Sequence, residues 1–183
     1  SQYSLKILTN NQYGTEGVPT ILIFFKTFMN HLVNLHPDIF HLATEILRSQ
    51  NQNQYEALLL FISMIEDLEV AQNQKVVKNT LLILLQQTSN IQIIREVYQN
   101  FSNLAKKISF TEDDITNFVC YIRKIPNEAN PTSIILNLIP AISNPYLKPV
   151  NNILLGLNLI SCSDNEGISN LLLTHIIKNF DKK

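Results

Sequence analysis

The chain has 183 residues, 45% of them hydrophobic and 16% charged, with 14 basic side chains against 15 acidic. That balance excludes a phosphate-tracking nucleic-acid surface, which needs a basic excess, and a disordered tail, which needs far fewer apolar residues. Two cysteines, Cys120 and Cys162, are too few for a disulfide scaffold or a cysteine zinc site.

Residues 1–18 read as a polar lead containing Gly14 and Gly17, without the basic start and apolar run of a secretory signal. Pro19 then sits where a first helical residue belongs, because it has no N–H to lose there. Ile21, Phe24, Phe25, Phe28, Leu32 and Leu35 follow as one broad apolar face. Pro37 stops that helix and starts the next, which carries Ile39, Leu42, Ala43, Ile46 and Leu47. After a polar turn from Ser49 to Gln54, a third helix runs from Tyr55 to about Leu68. It is apolar nearly all round, with Leu58, Leu59, Phe61, Ile62 and Ile65, as expected of a helix held between neighbours.

A fourth helix spans about Gln74 to Gln87, with Val77, Leu81, Leu84 and Leu85. Three capping boxes mark later starts: Ser89 with Gln92, Thr111 with Asp114 and Ser163 with Glu166. The first opens a helix presenting Ile91, Ile94, Tyr98, Phe101, Ala105 and Ile108. The second opens one with Ile115, Phe118, Val119 and Ile122, ending before Pro126. Asn130-Pro131 opens a seventh helix that Pro140 should kink or end. Pro149 opens an eighth with Val150, Ile153, Leu154 and Leu157. Ser163 caps a ninth with Ile168, Leu171, Leu172 and Ile176.

No strand alternation appears after residue 18, so the expected class is all-α: about nine helices in antiparallel pairs, as an α-solenoid or an irregular helical bundle. The expected organisation is one α-helical domain over 19–183. Helix pairs start near residues 19, 52, 89, 131 and 163, within the period of two-helix repeats. An internal echo supports this. Pro19-Thr20 precedes Pro37 by 18 residues, and Pro131-Thr132 precedes Pro149 by the same interval. From Pro19 onward, helix length, short turns and proline placement resemble the HEAT and armadillo-like helical-repeat class. The resemblance implies an extended helical surface that binds a protein or peptide.

Armadillo-type modules grip extended peptides with asparagine amides, which donate and accept at once. By that resemblance Asn79, Asn117 and Asn152, on the second helices of their expected pairs, form a candidate partner-binding ladder. Asn and Gln make up about 33 residues, scattered among periodic hydrophobics, which fits an AT-rich coding bias better than a prion-like tract. A second resemblance lies in Glu112-Asp113-Asp114 followed by Ala129-Asn130-Pro131. It is similar to the helical core of exchange domains acting on Rab-type GTPases, where an acidic residue meets the nucleotide site and an Asn-Pro turn shapes the groove. The tyrosine of that family's later motif has no counterpart here.

Chemistry is sparsely signalled. Gly14-Thr15-Glu16-Gly17 lacks the lysine and preceding strand of a nucleotide loop. His31, His36 and His41 are spaced by five, which rotates them apart on a helix, and His175 borders the last apolar face. Glu66, Asp67 and Glu69 end a helix, while Glu112, Asp113 and Asp114 begin one and offset its dipole. The sequon Asn100-Phe101-Ser102 falls within a helical stretch.

The expectation is therefore a non-catalytic protein–protein interaction or scaffold module, with no cofactor and no metal. Its partner would be a protein or peptide rather than nucleic acid. The alternatives are a regulator of a small GTPase and a self-assembling structural domain. Apolar runs of five residues, Ile21–Phe25 and Leu81–Leu85, fall far short of the roughly 20 needed to span a bilayer. Unpaired cysteines on predicted helices suit an intracellular location.

Overall fold

A computed structural model describes residues 17–31, 35–49, 52–67, 73–125, 130–142 and 144–180. The fold is all-helical, as its periodicity requires, and no strand occurs among the described residues. Packing divides the chain at one point, into Ser1–Glu69 and Val70–Lys183. The expectation of one domain over 19–183 contained no such division.

Among the described residues the first unit has three α-helices: α1 (Gly17–Thr27), α2 (His36–Arg48) and α3 (Gln54–Asp67), with a 3-10 turn at Met29–His31. Helix α1 begins two residues before Pro19 and ends at Thr27, well short of Leu35. The His36 ring lies 3.0 Å from the Met29 carbonyl oxygen, across the segment where a continuous helix was expected. Helix α3 packs on both α1 and α2, which explains why its sequence is apolar on several sides. Phe61 is fully buried and stacks on Phe40 with ring centroids 5.1 Å apart, whereas Leu59 is only half-buried. The α2–α3 turn is fixed by Gln54, whose Nε2 donates to the carbonyls of Leu47 (3.0 Å) and Ser49 (2.8 Å).

Among its described residues the second unit holds seven α-helices: α4 (Gln74–Gln87), α5 (Ile91–Gln99), α6 (Phe101–Lys107), α7 (Glu112–Cys120), α8 (Pro131–Ile142), α9 (Pro149–Ser161) and α10 (Glu166–Phe180). The expected fifth helix is broken at Asn100, whose Nδ2 donates to the Glu96 carbonyl and carboxylate. A 3-10 turn, Tyr121–Lys124, extends α7. Pro140 is carried inside α8, which continues to Ile142. The nine expected helices thus become ten α-helices and two 3-10 turns among the described residues.

These helices form two layers, one of α4, α7 and α9 and the other of α5, α6, α8 and α10. In one layer α7 packs on both α4 and α9. In the other, α8 packs on α5, α6 and α10. The layers are joined where α4 meets α5, where α8 meets α9 and the 3-10 turn that extends α7, and where α9 meets α10. Helices α7 and α9 run the same way. Asn151 Nδ2 donates to the Phe110 carbonyl (2.6 Å) near their starts, and Arg123 donates to Ser161 Oγ (2.6 Å) near their ends. The α4–α7 contact is closed by Lys78, 2.5 Å from Asp114 Oδ2 and 3.1 Å from the Ser109 carbonyl. At Gly156 the pair α9–α10 approaches closely, since a Cβ there would lie 2.6 Å from Ile176 Cγ1.

The caps follow the layers. Thr111 and Asp114 form the expected reciprocal box at α7. Ser89 and Ser163 do not cap. The second-layer helices instead begin behind Asn90, Asn130 and Asn165, whose Oδ1 atoms accept from the N–H groups of Gln92, Ser133 and Ile168. The serine expectation missed by up to two residues because asparagine caps as well as serine does. Asn130 takes a φ of 54°, a left-handed conformation that asparagine tolerates better than most residues.

Candidate functional site

The helix starts at 74, 112 and 149 bring α4, α7 and α9 into register, 38 and 37 residues apart. Buried positions then coincide. Val77, Ile115 and Asn152 occupy one level, and Leu84, Ile122 and Leu159 another. Outward positions can be compared in the same way. On α7 and the turn that extends it, the outer arc is Asp113, Thr116, Asn117, Cys120 and Arg123, exposed throughout and polar except at Cys120. One repeat on, α9 places Val150, Ile153, Leu154, Leu157 and Ile160 at those positions. Val150 is 48% exposed and Leu157 51%, and the other three are half-buried. Helix α9 carries no charged residue over its 13 residues.

The surface extends onto α10. Aligning the buried Leu138 and Ile142 of α8 with the buried Leu172 and Ile176 of α10 matches Ile139 to Leu173. Ile135 of α8 borders the cleft shared with the 162–165 turn, and Ile139 follows it one helical turn later on the same side. In α8 that side is buried, whereas in α10 Leu173 is 42% and Ile177 58% exposed. The apolar side that α8 buries is thus repeated on α10 and left open within this unit.

The candidate asparagines divide. Asn79 and Asn117 stand at equivalent positions of α4 and α7, both exposed. Asn152 leaves their ladder: it is 9% exposed, at a core level, and its Nδ2 donates to the Asn144 carbonyl (3.1 Å). It belongs to a buried asparagine group with Asn151 and with Asn144, whose Nδ2 reaches the Ser102 carbonyl (3.2 Å). These amides hold the turns between helix pairs. All three candidates lie on first-layer helices, so the pairs are phased differently from the expected starts.

Other candidate groups are structurally engaged or scattered. Burial works against the charge of Asp114, but hydrogen bonds from Lys78 and Thr111 outweigh it and hold the carboxyl below its usual range. Burial pushes Tyr98 well above its ordinary range, reinforced by nearby Cys120, Cys162 and Tyr121, and its hydroxyl donates to the Phe118 carbonyl (2.6 Å). His41 pairs with Glu45 at 3.3 Å on an exposed helix face. Among the described residues no group of three or more His, Cys, Asp or Glu is placed to hold a metal. The side chains of Glu66 and Asp67, and all of Glu69, Ala129 and 14–16, lie outside the described residues.

A cleft of about 340 Å³ opens between the starts of α8 and α10, lined by Asn130, Thr132, Cys162, Ser163, Asp164 and Asn165 among others. Its asparagine oxygens are occupied in capping, and its lining holds no histidine to take a proton from Cys162. Among the described residues, no helix is long and apolar enough to cross a membrane. Comparison with protein-family models, curated proteins and solved structures found no match in any of the three.

Proposed function

We propose that this chain is a non-catalytic protein-interaction module, a HEAT- or armadillo-like stack whose partner docks on the face formed by α9 and α10. The observation that carries this reading is the charge-free apolar arc of α9, set where its register equivalent α7 is polar. A helix face turned permanently to water has no use for five apolar residues at the positions of Asp113, Thr116, Asn117, Cys120 and Arg123. Completing the burial of side chains already half covered contributes about 1 kcal/mol each. Four or five of them are enough to anchor an interface around a dry centre.

The test replaces Leu157 with the photo-reactive benzoylphenylalanine and, as an internal control, places the same group at Thr116 of α7. Irradiation in lysate of the source cells should give a protein adduct from position 157 and none from 116. Adducts of equal yield at both positions, or none at 157, reject the reading.

A further inference from the structure

We infer that Cys120 and Cys162 form a reversible redox pair, closed to a disulfide by a low-molecular-weight disulfide such as oxidised glutathione, which ties the end of α7 to the turn that opens α10. The inference stands on the placement of the two thiols and does not depend on what docks on α9–α10.

The parallel run of α7 and α9 brings the two residues together. Cys120 is the last residue of α7, and Cys162 is the residue that follows α9. Cys162 Sγ lies 3.9 Å from the carbonyl oxygen of Val119, the residue peptide-bonded to Cys120. Three residues beyond Cys120, Arg123 donates to Ser161 Oγ (2.6 Å), beside Cys162, and holds the two ends in contact. Both sulfurs also bear on one group, the buried Tyr98 hydroxyl, whose ionisation each of them opposes.

Covalent geometry turns the first of these contacts into a bound. A planar trans peptide puts the Val119 oxygen about 2.8 Å from the Cys120 Cα, so Cys162 Sγ stands within about 6.7 Å of that Cα. The two Cα atoms are then within about 9.5 Å, and a disulfide needs them within about 6.8 Å. Closure asks for an approach of no more than about 3 Å between two helix ends, where backbone yields most readily. Cys120 Sγ donates to the Asn117 carbonyl (3.0 Å), and rotation about χ1 frees it from that local contact.

Exposure orders the chemistry. Cys120 is exposed and Cys162 half-buried, so an incoming disulfide meets Cys120 first. The Cys120 thiolate attacks it, forming a mixed disulfide and releasing one thiolate. The Cys162 thiolate then attacks the Cys120 sulfur, closing the bridge and releasing the second. The protein gives up two protons and two electrons, and the small disulfide leaves as two thiols.

The test incubates the full chain with oxidised glutathione under native conditions and reads intact mass and a non-reducing peptide map. The native chain should stay a 20.9 kDa species, lose both thiols together and yield one linked peptide pair holding positions 120 and 162. Bridged chain should exceed glutathione-bound chain about tenfold. Cys162→Ser should stop at one glutathione on position 120, and Cys120→Ser should react about tenfold more slowly through the half-buried thiol. Glutathione retained on Cys120 of the native chain, bridges found only between chains, or a bridge that forms only in urea overturns the inference.

Discussion

Helices α7 and α9 are neighbours in one layer, start 37 residues apart and bury equivalent levels, yet they turn opposite chemistry outward. On α7 the outer arc is polar, as solvent requires. On α9 it is aliphatic and uncharged. The inner faces differ in the reverse sense: α7 buries Ile115 and Phe118 where α9 buries Asn152 and Leu155. Polarity has in effect been moved from the outside of α9 to its inside. The buried asparagine holds a turn, and the aliphatics of the outer arc stand exposed or half-buried. The pair teaches that equivalence of position in a stack fixes shape, whereas the side chains decide whether a face serves the fold or a partner.

The largest expected effect tests the inner equivalence. Phe118 is buried and meets Phe101 and Phe110 edge-on, at 6.0 and 5.4 Å. Phe118→Ala should cost about 3–5 kcal/mol in urea unfolding, and Leu155→Ala about 2–5 kcal/mol. If either loses less than half a kcal/mol, its helix does not face the core.

A smaller effect separates the asparagines. Asn152→Ala removes a buried hydrogen bond and leaves the Asn144 carbonyl only the Leu147 N–H (3.2 Å), costing about 1–2 kcal/mol by thermal denaturation. Asn117→Ala, on the outer arc of α7, should stay within about 0.5 kcal/mol. Equal losses would erase the distinction between a structural and a surface asparagine.

The smallest effect concerns the start of α7, where Asp114 both caps and pairs with Lys78. Its carboxyl is held below the usual range, so the charged form is favoured by folding. That stabilisation is complete above the pKa of the unfolded carboxyl and disappears as pH falls through the lowered folded value. Asp114→Asn should therefore lower the melting temperature at neutral pH, by a capping-sized loss of about 1 kcal/mol. The gap should close in strong acid; a gap constant with pH would remove charge from the explanation.

Much of the local structure was legible from residue order alone. Apolar periodicity located the helical segments, the polar turns at 49–54 and 88–90 separated them, and Pro131 and Pro149 each stand at a first helical residue. Breaks inside periodic stretches were harder to see. Nothing in the apolar pattern across Asn100 distinguishes one helix from two, because Ile94, Tyr98, Phe101 and Ala105 keep the same period through the break. The three asparagine caps were visible as residues but hidden by the abundance of asparagine, which made each one uninformative by itself.

The apolar arc of α9 shows where sequence reasoning must stop. Sequence by itself determined that Val150, Ile153 and Leu157 share one side of a helix, because 3.6 residues per turn is a property of the backbone. Whether that side meets the core was decided only by the tertiary structure. Leu155 and Leu159 of the same helix already face α7, α8 and α10, and a helix has one inward side for each set of neighbours. Likewise it was packing that drew Asn152 inward to the Asn144 carbonyl and left Asn79 and Asn117 in water. Local rules specify which side chains travel together, and the arrangement of neighbours specifies which of them meet solvent.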